Sequence, residues 1–391
     1  MRWPRPSASS SCSWATTSRR ARTSSSPARP RSTASASTPD LSGRRPHHRI
    51  VDMPELLPDR AAPPAEATVP GDHLGLVWRA LTPDDADQVY ALVERCEDVD
   101  QPTMRTGRSR VVEILARPST GMKADSLGGF DTTGELRAAA FVHSPLGDET
   151  HARVFIAASV DPSWRGRGIG RALLTWQDDR ARQILATLDP SLPGRIAAYV
   201  DERLEDRRRL YAAAGFSPKR TFREMRRPLT EEPEATKVPE GYEIRQWTPE
   251  LDEAVRLAHN EAFRDHWGSQ PVDEDTWAAR EHELEPAWSV VAVHVESGTI
   301  AGYALTARHE HQWEALGHSE GYTELLGVLR EHRGTGVARA LLSSVLGALY
   351  RDGIEVAALD VDMENPSGAH QFYERMGYRP GAARILYTIE V

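Results

Sequence analysis

Cysteine is scarce: the 391 residues hold two, Cys12 and Cys96, far apart and outside any Cys-x-x-Cys or Cys/His spacing. That excludes a disulfide framework, gives no support for a metal site, and suits a reducing compartment such as the cytoplasm. Long apolar runs are also missing. No stretch approaches the ~20 residues that cross a bilayer, so no membrane partner is expected, and 39% hydrophobic with 27% charged residues is ordinary for a soluble globular chain. Acids are nearly absent from the first fifty residues, where ten arginines face one aspartate in an Arg/Ser/Pro/Ala-rich stretch without apolar periodicity. That stretch lacks the apolar core of a secretion signal and the interleaved aromatics of a base-stacking arm. Residues 1–52 therefore read as a disordered tail, or as untranslated sequence ahead of a start at Met53, with a leader over 53–75. Since the whole chain still carries a formal charge of −9, the remainder is strongly acidic. A nucleic-acid partner is not expected; small cationic or neutral substrates fit better.

What is present is a duplication. "VWRALTPDDADQVYALV" from Val77 matches in kind "EIRQWTPELDEAVRLA" from Glu243: a short strand, then Thr-Pro and acids, which predicts a helix start with threonine as cap and proline in the first turn. The Thr-Pro pairs lie 166 residues apart, "WRGRGIGRALL" and "HRGTGVARALL" repeat at 168, and the tyrosines of "RRRLYAAAGF" and "HQFYERMGY" at 162. Two domains are expected over 76–228 and 242–391, joined by the acid- and proline-rich linker 229–241. Each reads as mixed α/β, with hairpins at "LGGFDTTGELRAAAFV" and "WSVVAVHVESGTIAGYAL" and a Gly-rich turn joining a strand to a helix.

A turn of that kind presents backbone N–H groups at a helix N-terminus, where unpaired donors and the helix dipole attract an anion. Neither copy has the Lys-Ser/Thr pair of a P-loop. The GxGxG of Gly166, Gly168 and Gly170 follows its strand only after "DPSW", which does not suit a dinucleotide fingerprint. Both copies do satisfy Arg-x-x-Gly-x-Gly/Ala: Arg165, Gly168, Gly170 and Arg333, Gly336, Ala338. Each is followed some forty residues later by a strand, a helix carrying tyrosine, and Gly-aromatic.

This constellation resembles the GCN5-related N-acetyltransferase (GNAT) family and covers most of residues 76–391. The tandem layout is similar to that of the mycothiol synthase-like branch. The resemblance implies two tandem acyl-CoA acyltransferase domains, each a mixed, splayed sheet flanked by helices, with acetyl-CoA as cofactor. Pantetheine would enter where the strand before the loop splays, against Ala158, Ser159 and Val160 in one half and Leu326, Gly327 and Val328 in the other. The diphosphate would lie on Arg165, Gly166, Arg167, Gly168, Ile169, Gly170 and Arg171, or on Arg333, Gly334, Thr335, Gly336, Val337, Ala338 and Arg339.

Acyl transfer to an amine of pKa ~10 needs a proton acceptor, a donor for the developing oxyanion and a proton for the departing thiolate. By resemblance Tyr373 supplies the last, Glu324 is the candidate base, the Val328 N–H the oxyanion donor, and Asn365 a cofactor contact. His266 and Trp267 in "HNEAFRDHWGSQP" lie where the family walls its acceptor site. Asp360 and Asp362 share a strand face, either to attract a cationic amine or merely as solvated acids. The first half has Ala157 in the place of Glu324 and Arg203 in the place of Asn365, so turnover is expected in the second. The expected activity is acetyl transfer to a small-molecule primary amine by a monomer or homodimer. The alternative is a non-catalytic acyl-CoA-binding or regulatory module.

Overall fold

The Thr-Pro pairs open helices in both halves. At the first, the Asp85 carboxylate accepts hydrogen bonds from the Thr82 N–H (2.8 Å) and Oγ1 (2.9 Å). The Arg79 guanidinium clasps the same carboxylate and holds its pKa down to about 2. The structure, a computed structural model, describes residues 56–102, 105–116, 125–145, 147–278 and 284–391, so the tail read over 1–52 falls outside it.

The first half runs α1 (Leu57–Ala61), β1 (Val77–Arg79), α2 (Ala86–Asp100), α3 (Arg108–Ala116), β2 (Ser126–Phe130), β3 (Leu136–His143), β4 (Ala152–Val160), α4 (Ile169–Leu185), β5 (Gly194–Asp201), α5 (Glu205–Ala213) and β6 (Ser217–Pro228). The second runs β7 (Tyr242–Gln246), α6 (Asp252–Ala262), α7 (Glu274–Ala278), β8 (Val290–His294), β9 (Ile300–Arg308), α8 (Glu310–Leu316), β10 (Glu320–Val328), α9 (Val337–Arg351), β11 (Val356–Asp362), α10 (Ala369–Arg375) and β12 (Arg379–Glu390). Both expected hairpins form, as β2–β3 and β8–β9. Among the described residues no helix is long and apolar enough to cross a membrane.

Alternation along the strands places helices on both faces of the sheet. Ala138, Ala140 and Val142 of β3 pack with Leu173, Leu174 and Leu185 of α4, while Ala139 and Phe141 pack with Val89, Leu92 and Cys96 of α2. The second half repeats this: Val290 and Ala292 meet Leu341, Val345 and Leu349 of α9, and Val291 and Val293 meet Val255 and Ala258 of α6.

All twelve strands form one sheet, in the order β1-β2-β3-β4-β5-β12-β6-β11-β10-β9-β8-β7. The last strand of each half is exchanged. β12 lies between β5 and β6, in register from Arg384↔Asp201 to Glu390↔Arg195, and β6 lies against β11, from Val356↔Pro228 to Asp362↔Phe222. Residues Pro54–Val391 accordingly form one unit.

Candidate active site

In each half two parallel neighbours part company. The β4–β5 ladder ends at Phe155↔Ala197 and the β10–β11 ladder at Tyr322↔Ala358, whereas β4 and β10 continue on their other edges against β3 and β9 to Val160 and Val328. A wedge opens beside residues 158–160 and 326–328. Because Asp161 N–H donates to Arg137 O and Leu329 N–H to Ala301 O, the two-residue period turns the main-chain groups of Ala158, Val160, Leu326 and Val328 toward the open side. The N–H groups of these residues and the carbonyls of Ala158 and Leu326 are what an extended pantetheine arm would pair with, while the Val160 and Val328 carbonyls are taken by Arg165 and Arg333.

The loops that follow are twins. Gly166 and Gly168 have φ of 77° and 87°, Gly334 and Gly336 of 77° and 96°, a left-handed conformation that costs a side-chain-bearing residue ~1–2 kcal/mol. Gly168 and Gly336 cap α4 and α9 with no side-chain hydrogen bond to the helix end. Among the described residues the backbone N–H groups of 166–171 and 334–339 find no acceptor within the protein. Arg171 and Arg339, both exposed in the first helical turn, have no ion-pair partner there. A cation at that end opposes the helix dipole; a bound anion reverses the sign of its contribution. The site thus fits a diphosphate.

Arg165 and Arg333 do different work from the grip expected of them. Arg165 Nε donates to Val160 O (3.1 Å) and its Nη atoms to both Asp100 oxygens (2.6 and 2.9 Å). Arg333 Nε donates to Val328 O (3.1 Å) and Nη2 to Ala262 O (2.7 Å). Each guanidinium ties the end of the splayed strand to the C-terminus of α2 or α6, and so holds the wedge open. Arg167 reaches Ser163 O (3.2 Å) and lies over the Trp164 ring, 4.4 Å from its centroid.

Around the second wedge, the ladder of β10 with β9 shifts register between Thr323 and Leu325, a bulge that aims Glu324 outward from the strand. Its Oε1 shares a 3.0 Å hydrogen bond with His309 Nε2. Sequence reading did not single out His309; the His-x-His of "RHEHQW" just past β9 was the available signal. Tyr373 packs in the same apolar cluster as Leu326 and Val328, its ring 5.3 Å from Phe372 and 6.0 Å from Tyr378. Burial pushes its phenol up to about 12, so it is a proton donor at any physiological pH. Asn365 accepts from Ser367 N–H (3.0 Å) as a turn former.

On the acceptor side, Trp267 and the aspartate pair are engaged within the protein. The Trp267 ring is stacked between Arg195 and Arg220 of the first half, at 4.7 and 4.5 Å, which spends it on joining the halves. His266 hydrogen-bonds Trp267 O through Nδ1 (3.1 Å) and leans on Phe263. The pair Asp360 and Asp362 is not a solvated face: Asp360 is ion-paired with Arg384 of β12, and Asp362 is buried and accepts from Glu364 N–H (3.0 Å).

The first half keeps the loop and a tyrosine. A cavity of about 750 Å³ follows from Gly166–Arg171 past Ala158 and Val160 to Tyr211, whose phenol burial likewise raises to about 12. On the splayed strand itself it has no counterpart of Glu324. Ala157 stands there, with its carbonyl accepting from Gln177 Nε2 (2.8 Å).

Known proteins resemble this chain in sequence and fold. The sequence profile of the acetyltransferase (GNAT) family matches residues 253–378. The mycothiol acetyltransferase of Thermobispora bispora is 34% identical over 310 residues, covering 78% of this chain and 96% of its own. That of Thermobifida fusca is 30% identical over 329 residues, covering 80% and 97%. Among solved structures, a GCN5-related N-acetyltransferase from Sphaerobacter thermophilus superposes with a TM-score of 0.66 at 25% identity, covering 83% of this chain and 97% of its own. A tandem GNAT protein of the clavulanic acid pathway shares the fold, with a TM-score of 0.60 at 19% identity over 81% and 98%. The chain belongs to the GCN5-related N-acetyltransferase family, in the tandem group that includes the mycothiol acetyltransferases, and is an acetyl-CoA-dependent N-acetyltransferase.

Proposed function

We propose that the second half carries turnover, moving acetyl from coenzyme A to the primary amine of a small molecule. The observation that carries this is the pairing of Glu324 with His309 at the bulge of a splayed strand whose first-half counterpart is Ala157. Bound acetyl-CoA would supply the activated acyl carbon; the protein supplies the rest. With acetyl-CoA held there, Glu324, oriented by His309, would accept the proton that the amine nitrogen gives up. The Val328 N–H would be the donor available to the developing oxyanion. Tyr373 would supply the proton that the departing thiolate needs. Residues 334–339 would hold the diphosphate through their free N–H groups, with Arg333 serving as the brace behind them.

Kinetics with thiol release as readout test this assignment. Glu324→Gln and Tyr373→Phe should each lose ~10²-fold or more in kcat, while the counterpart Tyr211→Phe leaves kcat in place. Comparable losses from Tyr211→Phe and none from Glu324→Gln would move turnover to the first half. A mycothiol-type acceptor is the second reading, favoured by 34% identity across nearly the whole Thermobispora bispora enzyme. A panel of cationic and sugar-linked amines separates the two.

A further inference from the structure

The first half holds more space than an acetyl group needs. A second cavity, about 330 Å³, meets the 750 Å³ slot at Asp100, Ala158, Leu204 and Arg207, which line both. That junction is where the splayed strand would present a thioester. Beyond it the walls include the apolar side chains Val93, Val111, Ile114, Phe141 and Ala157, with the Tyr199 ring and the Cys96 thiol, which donates to Val160 O (3.3 Å).

Charged groups also line this cavity, and each is already engaged. Glu97 accepts from Thr106 N–H (3.0 Å) and Oγ1 (2.8 Å). Asp100 is held by Arg165 and by Arg207 (3.2 Å), Asp201 by Arg203 (2.7 Å), and Arg384 by Asp360. Each charged group there thus already has a partner, and the apolar walls are left for a hydrocarbon chain.

We propose that the first half binds acyl-coenzyme A thioesters with chains longer than acetyl, about four to eight carbons, with the chain in this second cavity, and that it does not transfer them. The inference rests on the reading of the first loop as a diphosphate cradle. It goes beyond that reading in naming the ligand. Ala157 in the place of the base leaves the thioester unattacked, so the site is a receptor for acyl-coenzyme A, and Arg384, paired to Asp360 beside the second wedge, touches both halves.

Calorimetry on the full chain tests it with coenzyme A, acetyl-, butyryl- and hexanoyl-coenzyme A. Burying one methylene contributes ~0.8 kcal/mol, about fourfold in Kd, so hexanoyl should bind at least tenfold tighter than acetyl. The gain should vanish in Gly168→Asp and persist in Gly336→Asp. It should also vanish when Val93→Phe fills the cavity, with affinity for unacylated coenzyme A unchanged; Ile114→Phe repeats the test should the first variant fail to fold. Equal affinity across chain lengths at a first loop that binds coenzyme A overturns the proposal, as does a gain that survives both filled variants. Amine acetylation by Gly336→Asp, whose second loop is blocked, overturns it as well by making the first half a transfer site. Unacylated coenzyme A binding to Gly168→Asp as it does to the unaltered chain removes the cradle reading itself.

Discussion

Replacing Tyr373 with phenylalanine removes one hydroxyl and little else. The ring keeps its contacts with Phe372 and Tyr378 at 5.3 and 6.0 Å, and among the described residues the hydroxyl makes no hydrogen bond, so the melting temperature should barely move. The chemistry should change sharply. Burial raises the phenol to about 12, so at pH 10 about 1% is ionised, against half of an ordinary phenol. A raised pKa in an acid extends the proton-bearing form upward, and the group therefore donates throughout the neutral and mildly alkaline range. General acid catalysis of this kind is worth ~10²–10⁴-fold. Tyr373→Phe should lose about 100-fold in kcat with KM for acetyl-CoA within about twofold, because the hydroxyl acts on the departing sulfur and not on the bound ground state. Thiol release followed from pH 6 to about 10.5 provides the assay. The unaltered enzyme should show no descending limb from this group across that range. Full activity in the variant, or a limb near pH 10 that the variant abolishes, would refute the assignment of Tyr373 as the acid.

Other consequences are as specific. His309→Ala should lower kcat by about tenfold and leave KM for acetyl-CoA unchanged, since it removes the partner that orients Glu324 along with ring contacts to His311 and Tyr322; a changed KM would point to a structural role. Gly336→Ala meets only Pro239 at 3.4 Å, so its cost is the backbone strain of φ 96°, ~1–2 kcal/mol by thermal denaturation, and a loss above ~3 kcal/mol would show that space was limiting. Glu224 is buried, raised by desolvation to about 8, and shares the single guanidinium of Arg226 with Glu320. Its folded pKa lies above its unfolded one, so its contribution to stability is full below about pH 4.5 and lost as pH rises to about 8, at no more than ~1.4 kcal/mol per unit. Glu224→Gln should flatten that window, and an unchanged slope would mean the carboxyl is ionised throughout. Finally, calorimetric unfolding should show one transition, because β12 and β6 each pair with strands of both halves; two well-separated transitions would mean the exchanged strands do not couple them.

Local features were legible in the sequence for local reasons. A Thr-Pro followed by acids satisfies helix-end donors wherever it occurs, and both pairs begin helices. Glycines that must adopt positive φ announce the two loops, and a five-residue turn between alternating strands announces β2–β3. Distant partners were not legible. Nothing in "RTFREMRRP" or "AARILYTIE" says which strand each will pair with, since backbone ladders carry no sequence code. Arg165 and Arg333 were identified by position, yet a guanidinium serves a phosphate or a carbonyl equally well, and only the geometry shows that both face Val160 and Val328. Trp267 was placed by resemblance at an acceptor wall, and the arginines that occupy its faces lie 72 and 47 residues away along the chain. Asp362 misled for a related reason: alternation gives the face of a strand, and the neighbouring strand β6 that covers it came from the other half.

The exchange of strands makes each half depend on the other for its fold. Taken alone, the first half would end with β6 displaced from β5, and the second would leave β11 with a bare edge where β6 now supplies seven residues in register, from Val356↔Pro228 to Asp362↔Phe222. An exposed edge of that length invites aggregation, and β12 would lose its ladder to β5 at the same time. The second half, which holds Glu324 and Tyr373, therefore depends on the first for its fold whether or not the first turns over substrate. The same topology lets position 157 carry alanine without disturbing the sheet, because the ladder of β4 to β3 runs from His143↔Phe155 through Phe141↔Ala157 to Ala138↔Val160 on backbone bonds.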